Sequence, residues 1–131
     1  MIIGVPKEVK KGEHRVGMVP SSVLELVNDG HEVLVETQAG KGIGLDDSVY
    51  VQHGAKIMAT PAEIFAKADM IVKVKEPQPS EYPLLRKGQI LFTYLHLAPD
   101  PQQADALIKS GCSAIAYETI TDAQGGLPLL T

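Results

Sequence analysis

The sequence predicts an α/β fold: a mainly parallel sheet flanked by helices, Rossmann-like or flavodoxin-like in general form. Three observations carry that expectation. Short β-branched runs of strand length alternate with helix-like segments, the helical segments have recognisable start and stop residues, and the connections are as short as βαβ units require.

The first strand is expected over residues 2–5, and a charged loop follows it. A helix then runs from Pro20 to about Asp29, with Val23, Leu24, Leu26 and Val27 on one side and Gly30 just past its end. The next strand, 32–35, leads to a helix over about 46–53 that stops at Gly54, and a short, weaker strand occupies 55–58. In Thr60-Pro61-Ala62-Glu63, Thr60 can cap a third helix, Pro61 takes its first position and Glu63 reaches back to complete a capping box. A strand over 70–74 follows. Residues 76–83, with Pro77, Pro79 and Pro83, exclude regular helix and central strand and read as an ordered, fairly rigid loop. After a strand at 90–93, Asp100 caps and Pro101 opens a fourth helix. Ala104, Leu107 and Ile108 are expected to face inward, and Gly111 ends the helix before a last strand at 113–116. The order of the strands does not follow from the sequence.

A length of 131 residues allows one such domain and leaves no room for a second, and 44% hydrophobic against 21% charged residues supplies a core. A net charge of −4 gives no support to a nucleic-acid partner, whose binding draws on many Lys/Arg–phosphate contacts. The N-terminus passes from Met-Ile-Ile-Gly-Val-Pro straight into charged residues, so neither secretion nor membrane insertion is expected. The single cysteine, Cys112, cannot form an internal disulfide, and a reducing cytoplasm is the expected compartment.

Ligands of open parallel sheets bind beyond the carboxyl ends of the strands. That rule selects His14 and Arg15 after the first strand, Lys75 after the fourth, His96 after the fifth and Glu118 after the sixth. Each has an ordinary reading. Arg15 alone could be a solvated loop residue, His96 among apolar neighbours could be a satisfied structural histidine, and His31 and His53 beside helix-ending glycines read as surface residues. Lys73 and Lys75 share one face of a strand, so Lys73 is expected to snorkel to the rim and Lys75, further out, to reach a ligand. Together, a planar guanidinium fork, a second cation and an imidazole describe a site for a small 2-oxo acid.

Other chemistries match poorly. Gly40-Lys41-Gly42-Ile43-Gly44 has neither the dinucleotide spacing nor the Lys-Ser/Thr of a phosphate loop, and reads as a mobile turn. The scattered histidines and lone cysteine offer no metal-ligand spacing, and neither a G-x-S-x-G elbow nor a Cys/His nucleophile pair is present.

Five segments taken in order resemble the bacterial alanine dehydrogenase family. They are Ile3-Gly4-Val5-Pro6-Lys7-Glu8 through Arg15-Val16, Gly30-His31-Glu32-Val33-Leu34-Val35-Glu36, Ile71-Val72-Lys73-Val74-Lys75-Glu76-Pro77, Leu91-Phe92-Thr93-Tyr94-Leu95-His96-Leu97 and Ala114-Ile115-Ala116-Tyr117-Glu118-Thr119. The resemblance covers essentially the whole chain. It implies reversible NAD-dependent deamination of L-alanine to pyruvate and ammonium, with Arg15 and Lys75 binding substrate and His96 the catalytic acid/base. Glu118, Lys73 and Tyr94 take supporting roles, and no metal is implied. It further implies that residues 1–131 are the substrate-binding domain, that NAD is bound mainly by a domain absent from this chain, and that the chain alone does not turn over. Family members are commonly hexamers.

Two alternatives stand beside it: a non-catalytic fragment that binds small carboxylates or oligomerises, and the related N-terminal region of a proton-translocating transhydrogenase. The Lys75-Glu76-Pro77 and Leu95-His96-Leu97 motifs favour the dehydrogenase.

Overall fold

In a computed structural model, residues 1–95 and 101–116 are described. They form β1 (Ile2–Val5), α1 (Pro20–Asn28), β2 (Glu32–Glu36), α2 (Asp47–Gln52), β3 (Lys56–Met58), α3 (Pro61–Lys67), β4 (Met70–Val72), β5 (Ile90–Thr93), α4 (Pro101–Ser110) and β6 (Ser113–Ala116). All strand pairs are parallel, and the strands lie in the order β3-β2-β1-β4-β5-β6. That is the doubly wound Rossmann order, so the flavodoxin-like alternative falls away.

The period of two along the strands divides the core. Ile3, Val5, Val33 and Val35 join Val23 of α1 and Tyr50 of α2 on one face. Leu34, Ile71 and Leu91 meet Ile64 and Phe65 of α3 and Leu107 of α4 on the other. Gly4 faces α3, and a Cβ there would stand 2.5 Å from Ile64 and 2.8 Å from Ala68. The central strand carries glycine where the helix comes closest.

Helix starts follow local chemistry. The Asp46 side chain accepts the Val49 amide of α2, and Thr60 Oγ1 accepts the Glu63 amide of α3 at 3.4 Å. Asp100, the expected cap of α4, lies outside the described residues. Two helical faces differ from expectation. Leu24 of α1 is 41% exposed and Ile108 of α4 is 80% exposed. On α4 the inner positions are Gln103 and Leu107, one turn apart, which rotates Ile108 away from the sheet.

The fourth strand also ends earlier than its apolar run suggests, at Val72 rather than Val74. The Lys73 amide still reaches Phe92 O at 3.0 Å. Beyond it a side chain takes over from the ladder, because Glu8 accepts the next two amides, of Val74 and Lys75. The proline-rich segment that follows is ordered, as expected. It closes on itself through the Gln78 amide and Glu81 Oε1 at 2.9 Å and ends in a 3₁₀ turn at Tyr82–Leu84. Among the described residues no helix is long and apolar enough to cross a membrane.

Candidate functional site

β1 is the strand at which the winding reverses, with β2 on one side and β4 on the other. Connections leaving the carboxyl ends of β1 and β4 diverge to opposite faces and open a crevice there. The loop after β1 brings Glu8, Glu13, His14 and Arg15 to that edge, and the segment after β4 brings Lys73 and Lys75. A cleft of about 310 Å³ lies between the first loop and the Gln38–Gly42 turn, lined in part by Glu13, His14, Arg15 and Lys41.

Arg15 presents its fork in this cleft, with the side chain 63% exposed. Glu13 grips it twice: Nε donates to Oε2 at 3.0 Å and Nη2 to Oε1 at 2.8 Å. The Arg15 backbone amide donates to the same carboxylate at 2.8 Å. The hydrogen bonds from Arg15, helped by the charges of Arg15 and Lys75, lower the Glu13 carboxyl to about 2. One carboxylate thus already sits on Arg15 within the field of Lys75. The arrangement is chemically suited to hold another.

Lys75 lies with its ammonium 5.2 Å from the centre of the Tyr94 ring, a cation–π contact. Lys73 does not snorkel as expected. Its side chain is 1% exposed, and Nζ stands 3.1 Å from Glu8 Oε1 and 3.2 Å from Glu81 Oε2. A buried ammonium is held only where counter-charges compensate its lost hydration, and here two carboxylates do so. Burial pushes the Glu81 carboxyl above its ordinary value against the pull of Lys73. Lys73 is therefore part of the floor of the site. An outer ion pair, Lys10 with Glu76, ties the first loop to the segment after Lys75.

The glycine-rich turn, expected to be mobile, forms a 3₁₀ turn at Lys41–Ile43 packed against the site loop. A Cβ on Gly42 would stand 2.2 Å from the His14 carbonyl oxygen, and one on Gly40 2.8 Å from Tyr50. Glycine lets this turn lie directly under the residue before Arg15. Gln38, ahead of it, adopts a left-handed φ of 63° and is held there by Asp47, which accepts its amide at 2.7 Å. A larger hollow of about 580 Å³ flanks this turn. Its carboxylates are already spent locally, Asp46 on the cap of α2 and Asp47 on Thr37 and Gln38.

This edge does not fit the pyrophosphate of a dinucleotide. Such a group needs a glycine-rich turn leading straight from strand to helix, with free amides at the helix start. Here residues 6–19 separate β1 from α1, and the carboxylates of Glu8 and Glu13 lie past the strand end.

Of the residues singled out in the sequence, Arg15 and Lys75 lie at this edge, Tyr94 backs Lys75 and Lys73 is buried beneath. His96 and Glu118 lie outside the described residues. Sequence reasoning missed Glu8, Glu13, Glu81 and Thr93. One available signal was Lys73 itself, since a lysine in an apolar strand requires a buried carboxylate partner.

The family model described as alanine dehydrogenase/PNT, N-terminal domain, matches residues 4–131. An alanine dehydrogenase of Bacillus subtilis is 53% identical over 131 residues, all of this chain and 34% of that protein. A solved L-alanine dehydrogenase superposes with a TM-score of 0.96 at 52% identity, covering 99% of this chain and 36% of the other. A transhydrogenase from Sinorhizobium meliloti superposes with a TM-score of 0.85 at 28% identity, covering 92% of this chain and 36% of the other. The chain spans about a third of the length of the curated relatives it matches.

Proposed function

Because the chain belongs to the alanine dehydrogenase/PNT N-terminal domain family, we propose that it is the substrate-holding domain of an NAD-dependent enzyme interconverting L-alanine with pyruvate and ammonium. The observation that carries this reading is the cationic pair at the sheet's switch point, Arg15 already engaging a carboxylate and Lys75 near enough for its charge to act on that same carboxylate.

In this reading the substrate carboxylate takes the Arg15 fork in place of Glu13, forming two charge-assisted hydrogen bonds. The Lys75 ammonium, held over Tyr94, donates to the 2-oxo oxygen. It draws electron density from the carbonyl carbon and so prepares it for attack by ammonia. His96, just past β5 in the chain, gives and takes the protons as the carbinolamine forms and collapses. Lys73 stays out of contact with substrate, supporting the floor, and Glu118 is a further supporting residue.

The nicotinamide cofactor, when bound, would supply the hydride as NADH or accept it as NAD+, and in this reading it would be held mainly outside these 131 residues. That assignment agrees with an edge unsuited to a pyrophosphate and with relatives three times as long. A homo-oligomer, hexameric as in the family resembled, and a cytoplasmic location complete the reading.

The transhydrogenase likeness offers a second candidate. A protein passing hydride between nucleotides has no need of a carboxylate fork, so the Arg15 and Lys75 pair favours the amino-acid enzyme.

The test is ammonium-dependent and pyruvate-dependent oxidation of NADH by the intact protein, compared with His96→Ala. The expected result is turnover that His96→Ala lowers by about 100-fold or more, the scale of a lost general acid/base. Turnover that persists without ammonium, or a His96→Ala rate near normal, would contradict the assignment.

A further inference from the structure

The polar groups of Lys75 are fixed from both sides of β4. On one side, Glu8 from the loop after β1 accepts the Lys75 amide at 3.2 Å and the Val74 amide at 3.1 Å. On the other, Thr93, the last residue of β5, donates its hydroxyl to the Lys75 carbonyl at 2.6 Å. One side chain from the loop after β1 and one from the end of β5 therefore hold Lys75, at its amide and at its carbonyl, where regular pairing of β4 has ended.

We propose that Glu8 and Thr93 are positioning residues that clamp the backbone of Lys75, so that its ammonium is presented to the substrate oxygen from a fixed base. The proposal rests on the reading of Lys75 as a substrate ligand.

Three observations support a clamp. Thr93 is fully buried and its hydroxyl is spent on Lys75, although a valine would fill the same space. Glu8 is buried and its carboxylate is oriented by the Lys73 ammonium at 3.1 Å, so swinging away would leave a buried cation with one carboxylate in place of two. Lys73 is in turn held by Glu81, which fixes the far end of the chain of contacts. Without the clamp, the Lys75 amide and carbonyl would lose these side-chain partners, and a long lysine on a less fixed backbone would populate more positions around the substrate. A base displaced by about 1 Å can cost about 100-fold in rate where alignment matters.

The variant that isolates this role is Thr93→Val, which keeps shape and burial and removes only the donated hydrogen bond. In the intact protein, Thr93→Val is expected to raise the pyruvate KM about fivefold to tenfold while the NADH KM stays unchanged, and Thr93→Ser is expected to recover most of the loss. Glu8→Gln, which puts an amide donor where two backbone amides must be accepted, should do the same more strongly. A second measurement needs no variant: amide hydrogen exchange of the native protein should show Val74 and Lys75 protected. Lys75→Ala serves as the reference for the underlying reading.

If Lys75→Ala loses pyruvate affinity while Thr93→Val and Glu8→Gln keep a wild-type KM, the clamp is refuted and the substrate role of Lys75 survives. Exchange of the Lys75 amide at the solvent rate would also refute the clamp. If Lys75→Ala keeps a normal KM, the reading beneath the proposal fails and the clamp fails with it.

Discussion

Glu13 and Arg15 form a closed bidentate pair two residues apart, with Nε to Oε2 at 3.0 Å and Nη2 to Oε1 at 2.8 Å. An internal carboxylate thus occupies the fork that a substrate carboxylate would use. In the proposed reading, binding from solution would be an exchange of one carboxylate for another, with Glu13 as the competitor.

Glu13→Gln is expected to weaken that competition. The pair is largely solvent-exposed on the arginine side, so its worth is about 0.2–1 kcal/mol and the pyruvate KM should fall by up to about fivefold. The same variant tests stability. The folded Glu13 carboxyl lies at about 2, below its ordinary value of 4.5. Its contribution is therefore present above pH 4.5 and lost as pH falls toward 2. Melting temperatures through that range should fall more steeply in the native protein than in Glu13→Gln; parallel curves would count against the pair.

Gly42→Ala probes the support beneath Arg15. The added methyl would meet the His14 carbonyl oxygen at 2.2 Å and the His14 carbon at 2.9 Å, both backbone atoms, so the turn or the site loop must shift. The expected cost is about 1–3 kcal/mol of stability together with weaker pyruvate binding. Gly30→Ala is the control. It strains a left-handed turn at φ +91° away from the cleft, and should lower stability while leaving pyruvate affinity intact. Unchanged affinity in Gly42→Ala would show that the turn does not set the site loop.

Glu81→Gln addresses the buried floor. Burial raises the folded Glu81 carboxyl, with the Lys73 charge opposing, so the folded protein holds this proton to higher pH than the unfolded chain. Stability from this group is fully present below pH 4.5 and declines as pH rises through the raised value. The variant should lack that decline, so its melting temperature should gain on the native protein's as pH is raised from 4.5 to neutral. A gap that stays constant with pH would assign the effect to packing alone.

Much of the architecture was legible because local signals agree with it. Pro20, Thr60-Pro61 and Pro101 open helices where expected, and Gly30, Gly54 and Gly111 follow their ends. Strand order was not, since it depends on which face each crossover packs against. Ile108 misled because periodicity marks an apolar position without saying whether an element lies opposite it, and α4 turns Gln103 inward beside the expected Leu107. The positions of Arg15 and Lys75 followed from the strand ends. The fate of Lys73 did not: one of its counter-charges, Glu8, is 65 residues away in sequence and becomes a neighbour only when β1 pairs with β4.

The central claim is that the edge between β1 and β4 binds a small 2-oxo acid through Arg15. Titration of pyruvate into the isotope-labelled protein, followed by NMR, tests it most directly. The account predicts saturable shifts at Arg15 and Lys75 in the native protein, and at least about tenfold weaker binding in Arg15→Ala, as two charge-assisted hydrogen bonds are lost. Equal affinity in the two proteins, or shifts confined to other parts of the fold, would contradict it.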